Sequence, residues 1–169
     1  MYLYLIRHGI AVEPDPFALD QMANDESRSL TKVGRKKVEQ VADRLAELEI
    51  TFDLIITSPL VRAQQTADIL IEKQISTKLE ISEDLKPMGR IESWLMGWNQ
   101  RDPQSSISTI ALVGHEPNLS EWAELLIFGK VYHQIILKKG AIISLKFPDE
   151  RVAIGMAQLA CLISPKYLI

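Results

Sequence analysis

Cysteine is almost missing from this chain of 169 residues, where Cys161 stands alone. One thiol cannot close an intramolecular disulfide or supply a Cys-rich zinc site, and such sparse usage fits a reducing compartment such as the cytoplasm. Long apolar runs are missing too. The stretch at residues 1–6 has no basic residue before it and is cut off by Arg7, so it reads as neither a signal peptide nor a membrane span. The expectation is a cytoplasmic chain that carries no targeting segment. There is no cationic excess. Nineteen Lys and Arg stand against 22 Asp and Glu for a formal charge of −3, which leaves no electrostatic footprint for nucleic acid or for an anionic membrane. Any anion must therefore be held by a local arrangement of donors. Neither a GxxxxGK[ST] phosphate loop nor a DxDxDG calcium loop occurs, and there are no repeats, low-complexity tracts or linkers.

What is present is a globular composition, 47% hydrophobic and 24% charged. A chain of this length can bury roughly 70% of its unfolded surface without disulfides or structural metals. It reads as one domain, residues 1–169. Strand-like apolar runs alternate with helical patterns, as in an α/β domain built on a mostly parallel sheet. Residues 2–6 form the first strand, nearly continuous in apolarity and ending at Arg7-His8-Gly9. Residues 10–30 read as a long irregular stretch with Pro14, Pro16 and several acids. Thr31 then caps a helix with Val38, Val41, Leu45 and Leu48 on one face. A second strand at residues 52–57 leads through Ser58, as N-cap, and Pro59 into a helix carrying Arg62 in its first turn. Residues 79–81 are a short strand, residues 91–98 a short helix, and residues 99–106 a polar loop containing Pro103. The third strong unit is a strand at residues 109–113, ending at Gly114-His115 and followed by a helix that starts at Pro117 and ends at Gly129. Residues 141–147 and 152–163, joined by a turn at residues 148–150, read as a hairpin or edge strands.

Three strand-to-helix junctions thus carry a basic or imidazole side chain: Arg7 and His8, then Arg62, then His115. In open α/β sheets ligands bind at the carboxyl ends of the strands, where these groups can converge. Two guanidinium forks match the oxygens of a phosphoryl group, and helix N-termini at Pro59 and Pro117 add backbone donors. Gly9 would allow close backbone approach. In such a pocket a neutral His8 imidazole can attack phosphorus and form a phosphoenzyme, while His115 stabilises the charge that moves during transfer. Arg7, Arg62 and His115 supply the positive charge, so neither metal nor cofactor is required.

The motifs Arg7-His8-Gly9, the run from Ser58 and Pro59 through Arg62 to Thr66, and Gly114-His115, together with Leu30-Thr31 and Gly34, resemble the histidine phosphatase, or phosphoglycerate mutase-like, superfamily. The likeness runs in order from residue 1 to about residue 128. It implies a three-layer α/β/α sandwich with a central mixed, mostly parallel sheet, with His8 as the phosphorylated nucleophile, Arg7 and Arg62 as phosphate ligands and His115 as the fourth member of the pocket. Short length without large insertions resembles the small SixA-type branch, which removes phosphate from phosphohistidine on proteins. The implied partner is a phosphohistidine-bearing phosphotransfer protein in a signalling relay. Many members carry a general acid after the third strand, and this chain offers Asp84 first and Glu83 second. The alternatives are a phosphatase for small sugar or cofactor-biosynthesis phosphates, distinguished by closure of residues 82–106 over the pocket, and a non-catalytic phosphoprotein-binding module.

Further residues have quieter readings. Arg28 can bend in to a phosphate or stay on the surface. Ser58 can bond within the pocket, although capping would explain it, and Asn118 supports the helix start. His133 reads as a surface side chain. Trp94 and Trp98, four apart on one helix face, belong to the core or, if exposed, to a docking patch for a helical phosphotransfer domain. The acids of residues 13–26 read as a solvated surface.

Overall fold

The inner strands of this chain are covered on both faces, which is why their apolar residues run almost without interruption, whereas the strands at residues 79–81 and 158–163 are exposed edges. The computed structural model describes residues 1–101, 107–149 and 151–169. In chain order the elements are β1 (Tyr2–Arg7), α1 (Gln21–Ser27), α2 (Lys32–Glu47), β2 (Leu54–Thr57), α3 (Val61–Glu72), β3 (Leu79–Ile81), a 3-10 turn at Glu83–Leu85, α4 (Ile91–Asn99), β4 (Thr109–Gly114), α5 (Asn118–Phe128), β5 (Ile142–Lys146), β6 (Gln158–Ile163) and α6 (Pro165–Leu168). They build a six-stranded sheet in the order β3-β2-β4-β1-β5-β6. β3, β2, β4 and β1 are parallel, whereas β5 runs antiparallel to β1 and β6 antiparallel to β5. This is the mixed, mostly parallel three-layer sandwich expected from the sequence.

Strand periodicity of two divides the core into halves. Leu3 and Leu5, Leu54 and Ile56, and Ile110 and Leu112 pack with Trp94, Trp98 and Trp122 from α4 and α5. Ile6, Ile55, Ala111 and Val113 face the other way, against Val38, Val41 and Leu45 of α2 and Ala67 and Leu70 of α3. Trp94 and Trp98 stack at a centroid distance of 5.6 Å and an interplanar angle of 11°. Both are buried, so the docking-patch reading falls: the pair faces β2 and β4, not solvent.

Several local expectations change. Residues 10–30 are not irregular throughout, because Asp20 caps α1 by accepting from Ala23 N at 2.9 Å. The second helix begins at Val61, with Leu60 as its N-cap and no side-chain cap bond. Ser58 stays with the sheet instead, its backbone N–H donating to Val113 O at 3.0 Å. Pro117 is the N-cap of α5, not its first residue, and Gly129 closes that helix with φ 76°, a conformation suited to glycine. Within residues 152–163 only Gln158–Ile163 is strand. Residues 102–106 of the polar loop with Pro103, and Glu150 of the hairpin turn, lie outside the described residues. Among the described residues no helix is long and apolar enough to cross a membrane.

Candidate active site

β1 and β4 are neighbouring parallel strands at the middle of the sheet, and Arg7 is the register partner of Gly114. The residues after them therefore leave the sheet side by side. The rings of His8 and His115 stand 5.1 Å apart. β2, on the far side of β4, ends at Thr57 and delivers Arg62 in the first turn of α3. His8, Arg62 and His115 are at most 5% exposed.

The hydrogen bonds fix one tautomer. Arg62 Nε–H can only donate, and it lies 3.2 Å from His8 Nε2, so that nitrogen presents a lone pair. Nδ1 then carries the proton and donates to Gly9 O at 2.7 Å. Burial, reinforced by the charges of Arg62, Arg7 and Arg28, pushes His8 down to about 3 against the donation to Gly9, so its imidazole is neutral near pH 7. His115 is also pushed down to about 3, first by burial and then by His8 and Arg62. Its Nε2 meets Ser58 Oγ at 2.9 Å, and Ser58 Oγ also accepts from Leu60 N at 3.3 Å. Ser58 thus anchors the second imidazole, a task the capping reading had not required of it. Arg7 Nη1 donates to Leu137 O at 2.8 Å. Arg7 Nε and His115 Nδ1 are buried without a hydrogen-bond partner among the described residues. A buried nitrogen without a partner is the exception in folded proteins, and here two such nitrogens belong to residues at the strand ends.

Gly9 has a different reason from the one expected. Its N–H donates to Thr66 Oγ1 at 3.1 Å and is not free for a phosphate oxygen. A Cβ at this position would lie 2.6 Å from Val38 Cγ2, so glycine is required by the packing of α2 against the loop. Asn118, expected to support the helix start, instead accepts from Met88 N at 2.9 Å and donates to Gly89 O at 2.9 Å, clamping residues 86–89 to α5. His133 is exposed, with φ 55°. Glu83 and Asp84 do not join the cluster. Glu83 pairs with Lys86 at 3.0 Å, and Asp84 accepts from Ser82 Oγ at 3.4 Å beside a small cavity lined by Trp94, Trp98 and Arg101.

The carboxylate that does reach the cluster is Asp25, from the stretch read as solvated surface. Its Oδ2 accepts from Arg62 Nη2 at 3.0 Å and its Oδ1 from Arg28 Nε and Nη2 at 3.0 and 2.7 Å. Burial pushes Asp25 up, but the hydrogen bonds and charges of Arg28 and Arg62 outweigh it and hold the group below the usual carboxylate range. Arg28 is thereby turned inward, its Nη1 donating to Val12 O at 2.9 Å. The sequence signal for this was the three-residue spacing of Asp25 and Arg28 on one helical turn. Among the described residues no cluster of three or more His, Cys, Asp or Glu is placed to hold a metal ion.

An imidazole lone pair beside the buried guanidinium of Arg62 and the half-buried one of Arg7, at the carboxyl ends of parallel strands, marks an α/β domain whose site chemistry suits an oxyanion. The comparisons place it more narrowly. The model of the histidine phosphatase superfamily (branch 1) matches residues 3–108. An uncharacterized protein of Picosynechococcus sp. is 38% identical over 170 residues, covering 100% of this chain and 99% of that protein. Among solved structures, the protein histidine phosphatase SixA complexed with tungstate superposes with a TM-score of 0.81 at 22% identity, covering 100% of both chains. A putative alpha-ribazole-5'-P phosphatase from Escherichia coli K-12 follows the same fold with a TM-score of 0.70 at 18% identity, covering 98% of both chains. The chain belongs to the histidine phosphatase superfamily.

Proposed function

We propose that this protein is a metal-independent phosphatase that works through a phosphorylated His8, and that its substrate is phosphohistidine on a phosphotransfer protein. The observation that carries the chemistry is the His8 Nε2 lone pair, 3.2 Å from Arg62 Nε and buried at the strand ends. Arg62 Nε–H passes from His8 Nε2 to a phosphoryl oxygen, which frees the lone pair, and Nε2 attacks phosphorus while Arg7 and Arg62 hold the phosphoryl oxygens. His115 donates from Nδ1 to a phosphoryl oxygen, its Nε2 accepting from the Ser58 hydroxyl. The bond from phosphorus to the leaving nitrogen breaks with its electron pair on the departing imidazole. Water then attacks the phosphoenzyme, which releases inorganic phosphate and restores His8.

The choice of phosphohistidine rests on the hydrogen bonds of the cluster, which among the described residues include no protonated acid. Glu83 and Asp84 are bonded elsewhere, and Asp25 is held ionised by two arginines. An alkoxide leaving group needs a proton from an acid in the site during departure, whereas a phosphohistidine ring, with an imidazole pKa near ~6.5, takes its proton from solvent on the other ring nitrogen and leaves as neutral imidazole. The fold shared with a SixA protein histidine phosphatase is consistent with this reading. A second reading, a phosphatase for small phosphate esters, is favoured by one feature: His8 is only 5% exposed. The two are separated by phosphate release from a phosphorylated histidine phosphotransfer domain, p-nitrophenyl phosphate and a phosphoserine peptide, assayed without acid and with His8→Ala as control. His8-dependent turnover of the phosphohistidine protein well above the two esters is the expected result. Preference for the esters supports the small-molecule reading, and no turnover of any of the three points to a binding module.

A further inference from the structure

All three guanidinium nitrogens of Arg62 already donate a hydrogen bond. Nε serves His8, Nη1 donates to Asp25 O at 2.6 Å and Nη2 to Asp25 Oδ2 at 3.0 Å. The second oxygen of the same carboxylate takes two donors from Arg28. One carboxylate therefore bridges two guanidinium groups in the manner of a phosphoryl group. The next residue reaches across the mouth of the pocket: Glu26 Oε1 accepts from Lys86 Nζ at 3.2 Å, on the loop that Asn118 clamps.

We propose that Asp25 is a specificity-determining residue, an internal competitor that occupies the Arg62 fork and must be displaced by a phosphoryl group on its way to His8. This rests on the reading that Arg62 holds the phosphoryl oxygens. Arg62 is 3% exposed, so it cannot turn outward to meet substrate while keeping Asp25. Asp25 can move more readily. α1 has only seven residues, none of them buried, so lifting it uncovers little apolar surface. A substrate joined to a protein or a larger molecule brings further contacts to offset the exchange, and free inorganic phosphate brings none. Asp25 thus discriminates against inorganic phosphate, limits inhibition by it and returns to Arg62 as product leaves.

The test is calorimetric titration of inorganic phosphate into the wild-type protein, Asp25→Asn and Glu26→Gln. Asp25→Asn keeps the shape and the backbone carbonyl but removes the competing charge, and phosphate should bind about tenfold more tightly, the scale of one charge-assisted hydrogen bond. Glu26→Gln loosens the strap and leaves the competitor, so its effect should be under about threefold. Unchanged or weaker phosphate binding by Asp25→Asn overturns the proposal, as does equal tightening by Glu26→Gln. Should Asp25→Asn fail to fold, hydrogen exchange on the wild-type protein decides: saturating phosphate should speed exchange of the amides of residues 21–28, and unchanged or slower exchange refutes displacement. The outcome is separable from the proposed activity. Tightening by Asp25→Asn without turnover of any phosphorylated substrate sinks the phosphatase reading and keeps Asp25 as competitor. Turnover with unaltered phosphate affinity does the reverse, and no phosphate binding by either protein together with no turnover overturns both.

Discussion

Replacing Gly34 by Ala in α2 should destabilise this protein, against the ordinary preference of helices. In a free helix that change gains roughly 0.5–1 kcal/mol, because glycine loses more backbone freedom on folding. Here the added Cβ would lie 2.0 Å from Ile10 O and 2.8 Å from Ile10 C, where ordinary contact starts at 3.4 Å. The obstacle is backbone. Ile10 O is also held by Thr31 N at 2.9 Å, so α2 and the loop after His8 must separate by more than an ångström and strain that bond. Overpacking of this kind costs about 1–3 kcal/mol, with backbone clashes toward the upper end, so the net loss should be about 2 kcal/mol. For a chain of this size that lowers Tm by roughly 4–8 °C. The control is Gly97→Ala in α4, where a Cβ meets nothing within 4 Å. It should raise Tm by a few degrees at most, on the order of 0.5–1 kcal/mol. Because Ile10 is two residues from His8, Gly34→Ala should also depress His8-dependent kcat, and displacements near 1 Å can cost about 100-fold. Thermal melts and p-nitrophenyl phosphate hydrolysis read both effects. A Tm for Gly34→Ala equal to or above that of Gly97→Ala would refute the reasoning.

Two further outcomes follow from buried ionisable groups. His8 and His115 are pushed down to about 3 in the folded protein, whereas unfolded imidazoles titrate near ~6.5. Between those values the unfolded chain binds more protons, so the stability they contribute is complete above about pH 6.5 and is lost as pH falls toward 3. Between pH 6.5 and pH 5 the pair should remove on the order of 3 kcal/mol, and urea unfolding of a His8→Asn, His115→Asn double variant should show a much flatter pH dependence. A slope unchanged by the double substitution would count against neutral burial of the imidazoles. Glu124 is 1% exposed and accepts the backbone N–H groups of Tyr132, His133, Gln134 and Ile135. Glu124→Gln turns an amide toward donors and should cost about 2–4 kcal/mol in urea unfolding. A loss under about 0.5 kcal/mol would mean that the loop finds other partners.

Residues whose role is set by near neighbours in the chain were legible from the sequence. The nearly continuous apolarity of β1, the Thr31 cap on Gly34 N at 2.9 Å and the turn at Gly129 each depend on a few adjacent positions, and each stands where local chemistry puts it. The order Arg7, His8, Arg62, His115 marked the pocket because parallel strands deliver their carboxyl ends to one edge of the sheet. Tertiary structure decided the rest. Whether Trp94 and Trp98 were core or surface depended on the direction in which α4 lies against the sheet, which residue spacing within the helix does not contain. The bonds of Ser58 to His115, of Glu124 to residues 132–135 and of Asp25 to Arg62 join positions 57, up to 11 and 37 residues apart. A carboxylate among other acids in a polar stretch reads as solvated until folding brings two arginines to it. That meeting is made by the sheet order, which sets the end of β2, and α3 after it, beside β4, and by the packing of α1 against α3.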